Sequence, residues 1–481
     1  MTHNASRITQ ATAPAAEVSL GRRRVSLFWL CLGLFLACAN FVSAAETLTW
    51  RADKNRVDAD IRSWELPKLL ERIAAATGWQ VYVEPGASHT VSTKFKDLPA
   101  SDALRLLLGD LNFALVPQTN SKPRLLVFST SLLEATQLVG ADSAAASVTI
   151  RRIPNELIVT LKPGAKIDEL ARLLGAKVIG RIDALNAYRL RFDDEAAADA
   201  ARAQLAANPD VAAVDSNYYV DLPSAATPLL AGSSPTLQLK PRAPGDTGRI
   251  VVGLIDTSVQ SLGGNLDSFL LPSIAIAGDA QPDANRPTHG TSMAETVLGS
   301  LQAATGGSTS VQILPVDVYG KNPATTTFEV GWGVYRAVNG GANLINLSLG
   351  GGDDSPFLHN IIQQARQQGV LLFAAAGNEP TTTLTYPAAY PEVIAVTAGD
   401  RKGNIAGYAN RGSFVDVVAP GANVIYYQDQ PYFVSGTSAA TAYATGMAAG
   451  LADAKRKSLA ETEATLRASL GVKPAASPEH P

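Results

Sequence analysis

Four runs in the second half of the chain are almost uninterrupted in apolar side chains: Ile250–Ile255, Ile313–Val318, Leu344–Leu347 and Val370–Ala375. A strand with one wet face alternates apolar and polar residues. A run that does not alternate must be covered on both faces, as in a parallel sheet sandwiched by helices. Stretches with helical spacing lie between these runs, such as Val330–Val338 and Leu358–Gln368, and Gly369 stops the second. Strand and helix in alternation predict an α/β domain over about 247–470, with a mostly parallel sheet and helices on both faces.

Two shorter blocks precede it. In the first, about 47–129, Leu66, Leu69, Leu70 and Ile73 recur at helical spacing, with Pro67 suited to a first turn and Gly78 to a stop. Val81 and Val83 alternate as a strand, and a similar phrase returns from Leu98-Pro99 to Val116. The second block, about 148–221, reads strand (Leu157–Leu161), helix (Ile167–Leu174), strand (Tyr188–Phe192), helix (Ala196–Ala207), extended (Val211–Val220). Two strand–helix–strand halves predict a ferredoxin-like α+β sandwich. Gly140–Ser147 is small and polar, and 222–246 holds five prolines with little periodicity, so both read as linkers. The end, 471–481, reads as a disordered tail.

Residues 1–45 read as an export signal. Arg22-Arg23-Arg24 precede the apolar run Leu27–Ala39, and Ser43-Ala44-Ala45 follow. An uncleaved membrane anchor is the competing reading, although the strict run is short of the ~20 residues a span needs. A lipid anchor on Cys38 is poorly supported by Phe35-Leu36-Ala37. Both cysteines, Cys31 and Cys38, lie in this segment, so the processed chain has no thiol to pair. Removing the segment's four Arg and one Glu takes the net charge from −3 to −6, with 36 basic against 42 acidic side chains. That balance gives no electrostatic reason to expect nucleic-acid binding.

Reactive residues cluster where the predicted strands end. Asp256 closes the run Ile250–Ile255, where a buried carboxylate can orient an imidazole. His289-Gly290-Thr291 precedes a helical run, Met293–Leu298. Asn378 follows Ala375-Ala376-Gly377 and can donate its amide to an oxyanion. Ser438 follows Gly436-Thr437 at the mouth of the Ala-rich stretch Ala439–Ala452, where helix N–H groups point at developing negative charge. Each alone is ordinary: a turn, a cap or a packing residue. Together they supply the acid, base, oxyanion donor and nucleophile of acyl transfer.

The order Asp256, His289, Ser438 is that of the subtilisin triad, and the region resembles the subtilisin-like serine proteases. Asn346-Leu347-Ser348-Leu349-Gly350, Tyr386-Pro387-Ala388 and Ala419-Pro420-Gly421 extend the likeness. The resemblance implies a catalytic triad of Asp256, His289 and Ser438, an oxyanion donor in Asn378, and a peptide cleft lined by Ser348, Leu349, Gly350, Ala375, Ala376 and Gly377. It implies a peptide substrate paired to the cleft as an added strand. The block at 148–221 is similar to the propeptides of that family, which occlude the cleft. The block at 47–129 resembles the short N-terminal domain of secretins and TonB-dependent receptors, which implies a cell-envelope partner in a Gram-negative bacterium. Ser258, Glu295, Ala439 and Ala442 depart from the usual subtilisin pattern.

The expectation is therefore an exported serine endopeptidase, periplasmic or extracellular, made as a self-processing zymogen. Its partners are a protein or peptide substrate, its own propeptide and an envelope protein. No cofactor or catalytic metal is expected. Structural calcium, frequent in the family, has no acidic loop of ligand spacing here. The alternative is a binding or signalling protein whose protease domain cuts only itself or nothing.

Overall fold

In the computed structural model, strands Ile274–Ala275, Gln312–Asp317, Val251–Asp256, Leu344–Leu347, Leu371–Ala375, Val393–Gly399 and Val417–Pro420 lie side by side in that order. Every pairing between them is parallel. The structure describes residues 46–51, 53–117, 122–139, 151–229, 237–243, 249–261 and 264–472. The export signal, the Gly140–Ser147 linker and the tail beyond Val472 lie outside them. Residues from Leu48 onward form one compact unit, to which all that follows refers.

Both faces of the sheet are dry, as the unbroken apolar runs require. Val252, Leu254, Ile313, Leu371 and Phe373 point to one core, which the helices His289–Thr305 and Thr437–Ala454 cover. Ile255, Val316, Ile345, Leu347 and Leu372 point to the other, covered by Thr327–Asn339 and Pro356–Gln367. Each such buried side chain contributes roughly 1.5–3 kcal/mol. Truncating Phe373 to Ala would cost about 3–5 kcal/mol through the cavity left behind. Pro356–Gln367 begins where Ser355 caps the Leu358 N–H and Pro356 fits the first turn.

Residues 152–221 form the βαββαβ unit read from the sequence, including a strand at Lys177–Ile182 that sequence alone did not reveal. Its last strand, Val211–Asp221, runs on beyond the unit. There it pairs antiparallel with Ala324–Thr326 of the larger α/β unit: Tyr219 with Thr326, Val220 with Thr325, Asp221 with Ala324. Asn217 Oδ1 accepts Thr327 Oγ1–H (3.1 Å) and Phe328 N–H (3.3 Å) across the same seam. Arg189 donates to Glu156 within the small unit and to Glu329 of the larger one.

The first block pairs Arg56–Glu65 with Thr90–Pro99 and buries Leu66, Leu69, Leu70 and Ile73, with Gly78 (φ 68°) ending the helix Leu66–Thr77. Its four-stranded sheet extends to Gln137–Leu138, past the Ser129 boundary expected from sequence, because Leu138 pairs with Tyr82.

The presumed linker after Leu222 is partly built in as well. Thr227–Pro228 pairs with Gln430–Ser435, and Lys240–Pro241 pairs with Ser308–Thr309. Leu239 is buried in the core of the larger α/β unit, and Arg242 donates to both oxygens of Asp453 at 2.9 Å.

Candidate active site

Asp256 is the last residue of a central strand and is fully buried. Its carboxylate meets His289 Nδ1 at 2.8 and 2.9 Å and accepts the Thr257 N–H at 2.7 Å. An acceptor on Nδ1 fixes the proton there and leaves Nε2 as the basic nitrogen. His289 is the first residue of its helix, in keeping with an imidazole expected near the helix start. Thr288 is its cap and accepts the Thr291 N–H at 3.0 Å. Gly290 is required by space: a Cβ there would stand 2.1 Å from the Thr257 carbonyl oxygen. That contact, with Gly290 N–H donating to Thr257 Oγ1 (2.8 Å), clamps the helix against the strand end and sets the Asp–His distance. Ser258, where subtilisins usually carry glycine, adopts no left-handed φ, and its carbonyl accepts the Thr288 hydroxyl at 2.6 Å.

Ser438 is the second residue of the helix Thr437–Ala454, whose cap position is Gly436. Gly436 has φ 133°, and a Cβ there would crowd Asn378 at 3.1 Å. The Ser438 hydroxyl donates to the Ser348 carbonyl at 3.1 Å. Ser348 Oγ in turn donates to the Ser438 carbonyl (3.1 Å) and accepts from Asn346 Nδ2 (2.8 Å). Asn346 Oδ1 accepts from Thr445, about two turns further along the serine helix (3.1 Å). The serine helix is thus tied to the strand Leu344–Leu347 at two levels.

Asn378 Oδ1 accepts the Thr437 N–H (2.8 Å) and the Thr437 hydroxyl (3.2 Å), which leaves its Nδ2 as the end available to a ligand. Thr437 also takes the Gly377 N–H (3.1 Å). It is a positioning residue that the sequence reading passed over.

A cavity of about 640 Å³ opens over these groups. His289, Ser438, Asn378, Ser348, Leu349, Gly350, Ala375 and Gly377 line it. Asp256 lies behind His289. Ala376, expected in the cleft, is buried instead: its N–H donates to Val396 O (2.9 Å) and its carbonyl accepts from Thr385 (2.7 Å). Strand alternation turns Ala376 away while Ala375 and Gly377 face the cavity. The lining also includes Asp221, Leu222, Pro223, Ser224 and Ala225, the chain's own segment after the prodomain-like unit. Tyr319 OH donates to Asp221 O at 2.9 Å, and Arg151 makes an ion pair with Asp221.

Glu295, six residues past His289, has its carboxyl pushed up to about 7 by burial. Among the described residues no group of three or more His, Cys, Asp or Glu side chains is placed to hold a metal ion, so no calcium ligand is assigned. No helix among them is long and apolar enough to cross a membrane.

Residues 247–473 match the Subtilase family, and residues 141–217 match the Fervidolysin N-terminal prodomain. Thermitase of Thermoactinomyces vulgaris is 32% identical over 210 residues, covering 43% of this chain and 75% of that protein. Subtilisin Savinase of Lederbergia lenta is 34% identical over 188 residues, 37% of this chain and 70% of the relative. The Thermophilic serine proteinase of Bacillus sp. (strain AK1) is 32% identical over 213 residues, 43% and 53% of the two chains. This chain spans about half the length of several such relatives. A solved structure with a like fold is a mutant of the epidermin leader peptide processing serine protease of Staphylococcus aureus. Its TM-score is 0.51 at 15% identity, with 66% of this chain and 92% of that one covered. With the strand order, the prodomain match and these identities together, the chain belongs to the subtilase family.

Proposed function

We propose that this protein is a serine endopeptidase made as a zymogen that cuts its own chain. The observation that carries the reading is a shared cavity. His289, held by Asp256 on one nitrogen, faces the same space as Ser438 and Asn378. In the proposed reaction His289 Nε2 takes the Ser438 proton as Oγ attacks the scissile carbonyl. Asp256 stabilises the imidazolium that forms. The oxyanion is met by Asn378 Nδ2 and the Ser438 N–H. His289 returns the proton to the leaving amine, and water repeats the cycle to free the acyl group.

The processing bond lies in the stretch that crosses the cavity. Upstream, Tyr219–Asp221 is held by Ala324–Thr326; downstream, Thr227–Pro228 is held by Gln430–Ser435. Leu237–Arg242 is built into the protease unit, so the cut precedes it. Export follows from the Arg22–Ala45 pattern. An envelope partner for the first block rests on its likeness to secretin and TonB-receptor domains.

The test is intact mass over time on the purified chain, wild type beside Ser438→Ala. Wild type should shed a fragment ending between Asp221 and Thr227, and the variant should stay whole. Cleavage in both, or in neither under conditions where the chain is folded, overturns the reading. A second reading, a protein that cuts itself once and then serves in binding, draws on the occupied cavity. Turnover of a peptide library in trans rejects it.

A further inference from the structure

One wall of the cavity comes from outside the protease unit. Gln80, Tyr82, Arg124 and Leu138, all from the first block of the chain, line it together with His289 and Ser438. The first block lies upstream of the bond that processing would break, and so does the prodomain-like unit. Both leave in one fragment, joined through residues 140–150. Whatever the first block does at the cleft is done before that fragment departs.

Its grip on the protease unit is close. Tyr82 packs edge-on against Tyr408, with ring centres 5.8 Å apart. Arg124 Nη1 donates to Ser435 Oγ at 2.9 Å, and Gly407 N–H donates to Thr136 O at 2.8 Å. Gly407 adopts no left-handed φ, so its backbone does not call for glycine. Space does: a Cβ there would stand 2.5 Å from Leu138 N and 2.8 Å from Leu138 Cβ. The bare position lets the two backbones meet.

This grip falls on the half of the cleft that the prodomain-like unit does not hold. That unit ends in Tyr219–Asp221, paired with Ala324–Thr326. The crossing segment then leaves along Gln430–Ser435, where Thr227 opposes Phe433 and Leu229 N–H donates to Pro431 O at 2.9 Å. Leu229 packs against the apolar cluster that Tyr82 and Leu126 form with Phe433. The first block therefore covers the strand that a leaving group would follow. It also covers the stretch that becomes the new N-terminus.

We propose that the first block is a second inhibitor of the cleft, acting on the leaving-group side while the prodomain-like unit acts on the acyl side. It holds the cut end against Gln430–Ser435 and keeps a substrate out of that lane until the fragment leaves. Two grips on one fragment act as a bivalent ligand, in which either grip keeps the other near its site. This rests on the protease reading above.

Two variants test it from opposite sides of the seam. Gly407→Ala puts a wedge on the protease unit whose nearest neighbours are all atoms of Leu138. Arg124→Gln departs with the fragment, so its processed enzyme is identical to wild type. Each full chain is followed by intact mass and by hydrolysis of a quenched peptide in trans. The shed wild-type fragment is then added back to the wild-type and Gly407→Ala processed enzymes, and the Arg124→Gln fragment to the wild-type enzyme. Both variants should cut themselves at the wild-type rate. In Gly407→Ala the lag between cutting and turnover should shorten, and the inhibition constant of the fragment should rise by about tenfold. Arg124→Gln should act in the same direction by a smaller factor. Freed of the fragment, Gly407→Ala should match wild type in kcat/KM. A lag and inhibition constant unchanged in Gly407→Ala, or full turnover by wild type with the fragment still bound, overturns the inhibitor and leaves the protease reading standing. If wild type neither cuts itself nor cleaves the peptide, the protease reading falls and the inhibitor with it.

Discussion

Thr437 N–H donates to Asn378 Oδ1 at 2.8 Å, and this bond decides which end of the Asn378 amide faces the cavity. With the oxygen engaged, the NH₂ group is aimed at the space where an oxyanion would form. Asn378→Ala should lower kcat on peptides by about 10²–10³, a barrier of roughly 3–4 kcal/mol, a size established on subtilisin itself. KM should change little, since the bond strengthens only as charge develops. A change confined to KM would remove Asn378 from the oxyanion site.

Arg189 holds the prodomain-like unit to the protease unit by serving Glu156 and Glu329 together. Burial raises the Glu156 carboxyl, but its bonds to Arg189, Asn217 and Arg191 outweigh burial and hold it below the usual range. Arg189→Ala removes the one cation paired with Glu329 among the described residues and leaves Glu156 to Arg191 and Asn217, and should weaken the seam by about 3 kcal/mol, over a hundredfold in affinity. After cleavage, gel filtration should show the N-terminal fragment leaving the variant at concentrations where it stays on wild type.

The same carboxyl gives the fold of the prodomain-like unit an acid limit, since Arg189, Asn217 and Arg191 all belong to that unit. A depressed folded value means the stabilisation is complete above the unfolded value of 4.5 and is lost as pH falls below it through the folded value. The uncut Ser438→Ala chain should therefore lose part of its stability on acidification below about pH 4.5, read by thermal unfolding. Glu156→Gln should flatten that dependence.

Glu295 titrates the opposite way. Its unfolded value is 4.5 and its folded value about 7, raised by burial. Between these the folded state holds more protons, so stability falls as pH rises across the window and levels off above it. Glu295→Gln should remove this slope and add about 2 kcal/mol at pH 8, with little change at pH 4. Thermal unfolding across that range reads it directly.

Asp453 anchors the start of the protease unit. It accepts from Arg242, Thr309 (2.7 Å) and Ser310 (2.6 Å). Asp453→Ala should cost about 3 kcal/mol. It should also speed tryptic cleavage after Arg242, whose guanidinium Asp453 then no longer holds.

The protease sheet was readable because a strand covered on both faces has no polar side to confuse its pattern. Asp256, His289 and Ser438, the residues proposed as a triad, stood out because each sits where a strand ends or a helix begins. Lys177–Ile182 escaped notice because Gly180 and charged residues interrupt its alternation. The start of the His289 helix was legible from Gly290, which lets the chain turn into it, while apolar spacing shows only from Met293. The Pro-rich stretch after Leu222 looked unstructured because composition reports missing periodicity, while Leu239 is buried and Thr227 is paired. Arg124 and Ser435 lie 311 positions apart, and no local pattern relates them.

The segment over Ser438 is gripped on both sides of the bond that processing would break. Strand pairing holds Tyr219–Asp221 on one flank and Thr227–Pro228 on the other, and neither depends on the peptide between them. Severing that peptide leaves two ends still docked. Molecular weight would change first and turnover later, after a lag set by how fast the severed ends let go.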